Sequence, residues 1–177
     1  MKILAIPATN SRTSINKQLL EYVGSILADD HDAQVEVLDL NDYEMAIYSP
    51  EREAEGLPPE AQAFYEAIGK ADAVIVSYAE YNGSFTPAWK NTYDWASRID
   101  QQVYQGKPVL MLAASPGPRA GAGVLGAATM SAPFFGAKLV GSLGVGPFGE
   151  AFSDRLTDAE LDAELRALLE KLVAAVG

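Results

Sequence analysis

Short apolar runs alternate with amphipathic stretches along this chain. Lys2 to Pro7 is apolar and of strand length. From Ile15 onward, apolar residues recur at Leu19, Tyr22, Val23, Ile26 and Leu27, which is one face of a helix. Gln34 to Leu40 alternates as a half-buried strand does. Residues 41–57 keep no period: Tyr43, Met45, Ile47, Tyr48 and Pro50 are followed by the charged run Glu51 to Glu55. Irregular segments of that length are uncommon unless functional. Two readings stand for it, a cover over a ligand or neighbouring subunit, or a surface excursion held by a few side chains.

Pro58-Pro59 opens a helix whose inner face is Ala61, Phe64, Tyr65 and Ile68. Ala71 to Tyr78 is a nearly continuous apolar run, the mark of a strand covered on both faces in a parallel sheet. Pro87 to Arg98 reads as an unusually aromatic helix carrying Trp89, Tyr93 and Trp95. Aromatic residues are enriched in interface cores, so this helix is one candidate for a subunit contact; ordinary core packing is the other reading. Val109 to Ala114 is a further strand, Val124 to Phe135 a helix of small residues, and Lys138 to Leu143 a last strand. A capping box from Thr157 to Glu160 begins the final helix, striped by Leu161, Leu165, Leu168, Leu169, Leu172 and Val176. Strand–helix alternation of this kind predicts an α/β domain with a five-stranded parallel sheet. With no internal repeat or linker, residues 1–177 read as one domain.

Composition narrows the partners. A net charge of −11, from 24 acidic and 13 basic residues, argues against nucleic acid. The absence of cysteine removes disulfides, thiolate metal sites and a cysteine nucleophile. His31, the only histidine, sits among aspartates in a tight turn without ligand geometry, so no metal site is expected. The apolar start is too short for a secretory signal, and no run reaches membrane-span length. A soluble, cytoplasmic protein is the expectation.

The chemistry collects in the segments that follow strands. Thr9, Ser11, Thr13 and Ser14 bring four hydroxyls, Arg12 a charge and Asn16 an amide, between the first strand and the helix starting near Ile15. The first N–H groups of a helix lack internal partners and sit at the positive end of its dipole. Ser14 alone would be explained as a cap; the full set exceeds what a cap needs and points to a bound phosphate. The third strand empties into Ala79-Glu80-Tyr81-Asn82-Gly83-Ser84, and the fourth into Ser115-Pro116-Gly117-Pro118-Arg119-Ala120-Gly121. In a parallel sheet these three loops share one edge, where open α/β sheets bind ligands. Glycines, backbone donors and an aromatic there suit a flat heteroaromatic ring. Gly121 to Gly126 also spells GxGxxG, but too far past its strand and without an acidic residue ending the next one. Close helix packing by small residues explains it better.

These motifs resemble the NADPH-dependent FMN reductase family, over most of the chain from residue 2 through the last strand. The family's phosphate loop, Gly-Ser-x-Arg-x-x-Ser-x-Asn, is met by Ala8, Thr9, Ser11, Ser14 and Asn16. Ala8 departs from glycine, and Ser11 from arginine, with Arg12 adjacent to supply the charge. Glu80-Tyr81-Asn82-Gly83-Ser84, with Lys90-Asn91 at the family's distance, matches a second motif that lacks only its leading proline. The resemblance implies a flavodoxin-like three-layer sandwich with strand order 2-1-3-4-5.

It further implies an FMN site made by Thr9, Ser11, Arg12, Ser14, Ile15 and Asn16 at the phosphate. Glu80, Tyr81, Asn82 and Gly83 would lie along the ribityl chain and ring, and Ser115, Pro116, Gly117 and Gly121 at the pyrimidine edge. The implied activity is hydride transfer from NADPH or NADH to FMN and on to a small-molecule acceptor such as a quinone, free flavin, azo dye or metal oxyanion. No protein acid or base is indispensable for it, since the flavin carries the chemistry and backbone N–H groups stabilise its charge. A homodimer or homotetramer is also implied. Two alternatives stand beside this reading: a flavodoxin-type electron carrier without NAD(P)H turnover, and a member that has lost FMN.

Overall fold

Period two along each strand sorts side chains into two layers, and the strands here use both. In the computed structural model, which describes residues 1–177, five strands form one parallel sheet. They are β1 (Lys2–Ala8), β2 (Gln34–Val37), β3 (Ala73–Tyr78), β4 (Pro108–Ala114) and β5 (Lys138–Val145), in the order β2-β1-β3-β4-β5. The expected architecture and strand order are both present.

On one face, Leu4, Ile6, Val74, Val76, Val109 and Met111 meet α3 (Pro59–Lys70), α4 (Pro87–Ile99) and α5 (Ala122–Ser131), through Phe64, Ile68, Trp89 and Val124. On the other, Ile3, Ala5, Ile75, Leu110 and Leu112 meet α1 (Ile15–His31) and α7 (Ala159–Ala174), through Leu19, Val23, Leu27, Leu165, Leu169 and Leu172. Burying one large aliphatic side chain is worth about 1.5–3 kcal/mol. A helix cap is worth about 1 kcal/mol. The leucine stripe therefore holds α7 in place, and its cap sets only where it starts.

Several boundaries differ from expectation. The second strand stops at Val37, because Asp39 turns the chain into a 3₁₀ turn at Leu40–Tyr43 by accepting the Asn41 N–H at 2.9 Å. The aperiodic segment 41–57 contains that turn and a short helix, α2 (Pro50–Ala54), capped by Ser49. The small-residue helix is α5 plus a 3₁₀ turn, Ala132–Phe135, whose second residue, Pro133, cannot continue an α-helix. β5 runs on to Val145, and a short α6 (Phe148–Ala151) follows it. Asp158, not Thr157, caps α7, accepting from Glu160 and Leu161; the Thr157 hydroxyl donates to Glu150 O instead.

The aromatic helix α4 is a core element. Trp89 and Trp95 are only 2% and 1% exposed. Trp89 meets Phe64 and Tyr78 edge-on, and the Trp95 indole N–H donates to Ala46 O at 2.8 Å. For Trp89 and Trp95 the core-packing reading holds, both being sealed inside the chain's own core, whereas Tyr93 on the same helix is half-buried. Exposed apolar side chains lie elsewhere, at Ile47, Met130 and Phe134.

Candidate functional site

β1, β3 and β4 end level with one another, Ala8 pairing with Tyr78 and Tyr78 with Ala113. The three loops therefore leave one edge of the sheet side by side. Specific bonds then fasten them together. Thr86 Oγ1 donates to Ala8 O at 2.9 Å and accepts the Trp89 N–H, so one buried hydroxyl caps α4 and ties it to the first loop. The buried Asn16 amide donates to Ala114 O at 3.1 Å, and its Oδ1 accepts the Ala114 N–H and the Ser77 hydroxyl, both at 2.8 Å. That joins the start of α1 to the ends of β3 and β4. Glu80 accepts the Val124 N–H at 2.8 Å, fastening the second loop to the first turn of α5.

The first loop is shaped for an anion. Ser14 caps α1 in extended conformation and accepts the Asn16 N–H. Thr9 is buried and folds the loop by accepting the Ser11 N–H at 3.1 Å. The N–H groups of Arg12, Thr13, Ser14 and Ile15 donate to no protein acceptor. These four donors at a helix N-terminus, with the exposed side chains of Ser11, Arg12 and Thr13 beside them, fit a phosphate. Asn16 differs from its expected place among the anion's donors: its amide is spent on Ala114 and Ser77, so it positions the loop.

The second loop is a tight hairpin. Tyr81 and Ser84 exchange backbone bonds of 3.0 and 3.1 Å, while Asn82 and Gly83 take φ of +53° and +78°. Positive φ at both central residues is what an Asn-Gly pair provides. The turn projects from the sheet edge with the Tyr81 ring 45% exposed. The Glu80 carboxylate points into α5 and is therefore structural; what its stretch offers a ligand is the backbone and Tyr81.

In the third loop, Ser115 Oγ accepts the Gly117 N–H at 3.2 Å, and Pro116 is exposed at the bend. Gly121, at φ +72°, starts α5 so close to β4 that a Cβ there would lie 2.6 Å from the Ala113 Cβ. A Cβ on Gly123 would lie 2.8 Å from Glu80 Oε2, whereas one on Gly126 would meet nothing within 4 Å. Two glycines of the GxGxxG string are thus packing glycines and the third is free.

Some contributors escaped the sequence reading. Gly144 on β5 and Gly146 just past its end let the third loop lie against the strand: a Cβ would come 2.5 Å from Ala120 O at the first and 2.5 Å from Gly117 O at the second. Their i, i+2 spacing at the end of a strand was the available signal. Asn41 Nδ2 donates to Asn10 O at 3.1 Å and to Asp39, bracing the phosphate loop from outside. The Asn41 backbone N–H, then the Asn41 side-chain amide and the nearby cations Lys17 and Arg12, hold the Asp39 carboxyl below its ordinary range against partial burial. Lys90 pairs with Asp94, and Asn91 anchors the 41–57 segment through Met45 O, Ala46 O and the Tyr48 N–H.

A family model described as NADPH-dependent FMN reductase matches residues 1–149. An NAD(P)H-dependent FMN reductase of Pseudomonas aeruginosa is 32% identical over 117 residues, which is 66% of this chain and 61% of that protein. A 2-hydroxy-1,4-benzoquinone reductase of a Burkholderia species is 32% identical over 118 residues, 66% of this chain and 62% of that one. The chain thus spans less than two thirds of the length of these curated relatives. Among solved structures, an NAD(P)H:acceptor oxidoreductase flavoenzyme of Paracoccus denitrificans superposes with a TM-score of 0.77 at 21% identity, over 99% of this chain and 96% of that one. That likeness is one of fold.

Proposed function

The chain belongs to the NADPH-dependent FMN reductase family, and on that premise we propose that it is an FMN-holding oxidoreductase that takes reducing equivalents from NADPH or NADH. The acceptor is a small molecule such as a quinone. One observation carries this: four unpartnered backbone N–H groups at the start of α1, flanked by Arg12, share a sheet edge with the exposed Tyr81 hairpin. The first feature fits a phosphate and the second a flat ring.

Bound there, FMN supplies the two-electron chemistry that no side chain of this protein can. The residues bind and orient. Arg12 to Ile15 take the phosphate through backbone donors, with Ser11, Arg12 and Thr13 side chains adding to it. The turn at Asn82-Gly83 aims Tyr81 and the free Asn82 and Gly83 N–H groups at the ring. Gly121 keeps the end of the third loop close to the sheet, with Pro116 and the Gly117 N–H bond to Ser115 setting its bend. The loops stay registered because Asn16, Thr86 and Glu80 bolt them to one another.

Residues 1–177 act as one domain in this reading. No helix is long and apolar enough to cross a membrane, and a cytoplasmic location fits the NAD(P)H donor. The protein is a homodimer or homotetramer, with Met130 and Phe134, which are 74% and 71% exposed, as contact side chains. The test is an absorption spectrum of the purified protein followed by anaerobic NADPH. Flavin bands that bleach support the reductase. Bands that persist make it an electron carrier, and failure to bind added FMN overturns the phosphate-loop reading.

A further inference from the structure

Away from the three loops, α4, α5 and the Ala132–Phe135 turn enclose a cavity of about 220 Å³ above the end of β3. No residue of 8–16, 79–84 or 115–121 lines it, so it is separate from the flavin site. Its walls are unlike. Tyr78, Phe85, Trp89, Tyr93, Tyr104 and, from the turn, Phe135 contribute rings, whereas α5 and the start of the turn contribute the small side chains of Ala127, Ala128, Ser131 and Ala132. Rings beside a floor of small side chains make a slot for something flat. We propose that this slot is a second small-molecule site, for a neutral one- or two-ring aromatic carrying a hydroxyl or carbonyl oxygen.

Size comes first. An apolar cavity of about 150 Å³ stays dry and takes up benzene. This one admits a somewhat larger ring system. Shape and lining come second: aromatic walls favour an aromatic guest through edge-to-face and offset contacts. The oxygen follows from a count of donors. The Tyr78 and Tyr104 hydroxyls meet at 3.2 Å, and the Tyr93 hydroxyl approaches that of Tyr104. The Tyr78–Tyr104 pair makes one bond and leaves one O–H without an acceptor, with the Tyr93 hydroxyl beside it. Burial raises all three phenols, Tyr104 to about 12, so they are neutral and that last proton is there to donate. Neutrality of the guest follows from the rim, where Lys90 and Asp94 satisfy each other at 2.7 Å.

The test is calorimetric titration of the purified flavin-bearing protein with 2-naphthol, a phenol that accepts no hydride, while the flavin spectrum is watched. Saturable binding of one naphthol per chain is expected, with the spectrum unchanged. Ala127→Leu, which fills the slot, should weaken binding about tenfold or more. Tyr93→Phe keeps the ring and removes a hydroxyl, and should weaken it by about fivefold. No saturable binding overturns the proposal, as does equal affinity in Ala127→Leu. A flavin spectrum that changes in step with the heat places the naphthol on the flavin and also overturns it. Sedimentation completes the set: if Ala127→Leu changes the assembly's mass and wild type binds no naphthol, the slot seats a second copy of the chain. Because the readout is heat, the result does not depend on reductase activity.

Discussion

Asn16 and Ala114 lie 98 residues apart and exchange two hydrogen bonds, Ala114 N–H to Asn16 Oδ1 at 2.8 Å and Asn16 Nδ2–H to Ala114 O at 3.1 Å. The Ser77 hydroxyl adds a third. One buried amide thereby sets the spacing between the phosphate loop and the loop after β4. Asn16→Leu would leave two backbone groups and a hydroxyl unpaired in the interior. A buried unpaired group costs about 1–3 kcal/mol, so a total near 3–5 kcal/mol and a Tm lowered by roughly 10 °C are expected for a chain of this length. Thermal unfolding checks it; an unchanged Tm would mean that the three bonds contribute nothing net.

Arg12 is exposed and tests which part of the ligand the first loop holds. Arg12→Ala removes a charge-assisted contact worth about 1.5–3 kcal/mol. FMN affinity should fall roughly tenfold to a hundredfold, while riboflavin, which lacks the phosphate, should bind as before. Parallel titrations with both flavins decide the matter, because an equal loss for both would mean that Arg12 only shapes the loop.

The Glu80 carboxylate is spent on the Val124 N–H, so its removal should act through α5. Glu80→Ala deletes a charged cap at a helix start, a loss of about 1–2 kcal/mol in urea unfolding. Glu80→Gln keeps an acceptor oxygen and should restore about half. A Gln variant no better than Ala would show that charge, rather than the hydrogen bond, does the holding.

Glycines 121 and 126 should respond with opposite signs. Gly121→Ala forces a Cβ onto Ala113 at positive φ, and destabilisation by about 1–3 kcal/mol is expected. Gly126→Ala adds a methyl in open space on a helix and should stabilise by about 0.5–1 kcal/mol. Chemical unfolding of the two variants separates packing glycines from a nucleotide fingerprint, in which the last glycine would be needed.

Asp39 gives a pH signature. Its folded carboxyl is held below 3.8, first by the Asn41 backbone N–H. A depressed carboxylate stabilises the fold above its unfolded pKa and loses that effect as pH falls through the folded value. The Tm gap between wild type and Asp39→Asn should therefore be present at pH 7 and shrink below pH 3.8. Solvent access keeps the gap small. A gap that grew in acid would reverse the assignment.

The sequence by itself determined the elements, their order and the sheet edge that carries the chemistry. Those follow from local periodicity: the continuous apolar runs of β3 and β4, the leucine stripe of α7, and a hydroxyl-rich turn after β1. The Asn82-Gly83 turn was equally legible, because positive φ at two successive residues is a local demand. Only the tertiary structure decided where polar side chains spend their bonds. Asn16 is the same residue whether it faces a phosphate or Ala114, and Glu80 whether it faces a ring or the start of α5. Trp89 and Trp95 are equally apolar in a core and at an interface; what buries them is Phe64 and Tyr78 from one side and Ala46 from another. Periodicity reports which face of an element is apolar, but partners far apart in the chain are chosen by packing, and packing decided the site's braces here.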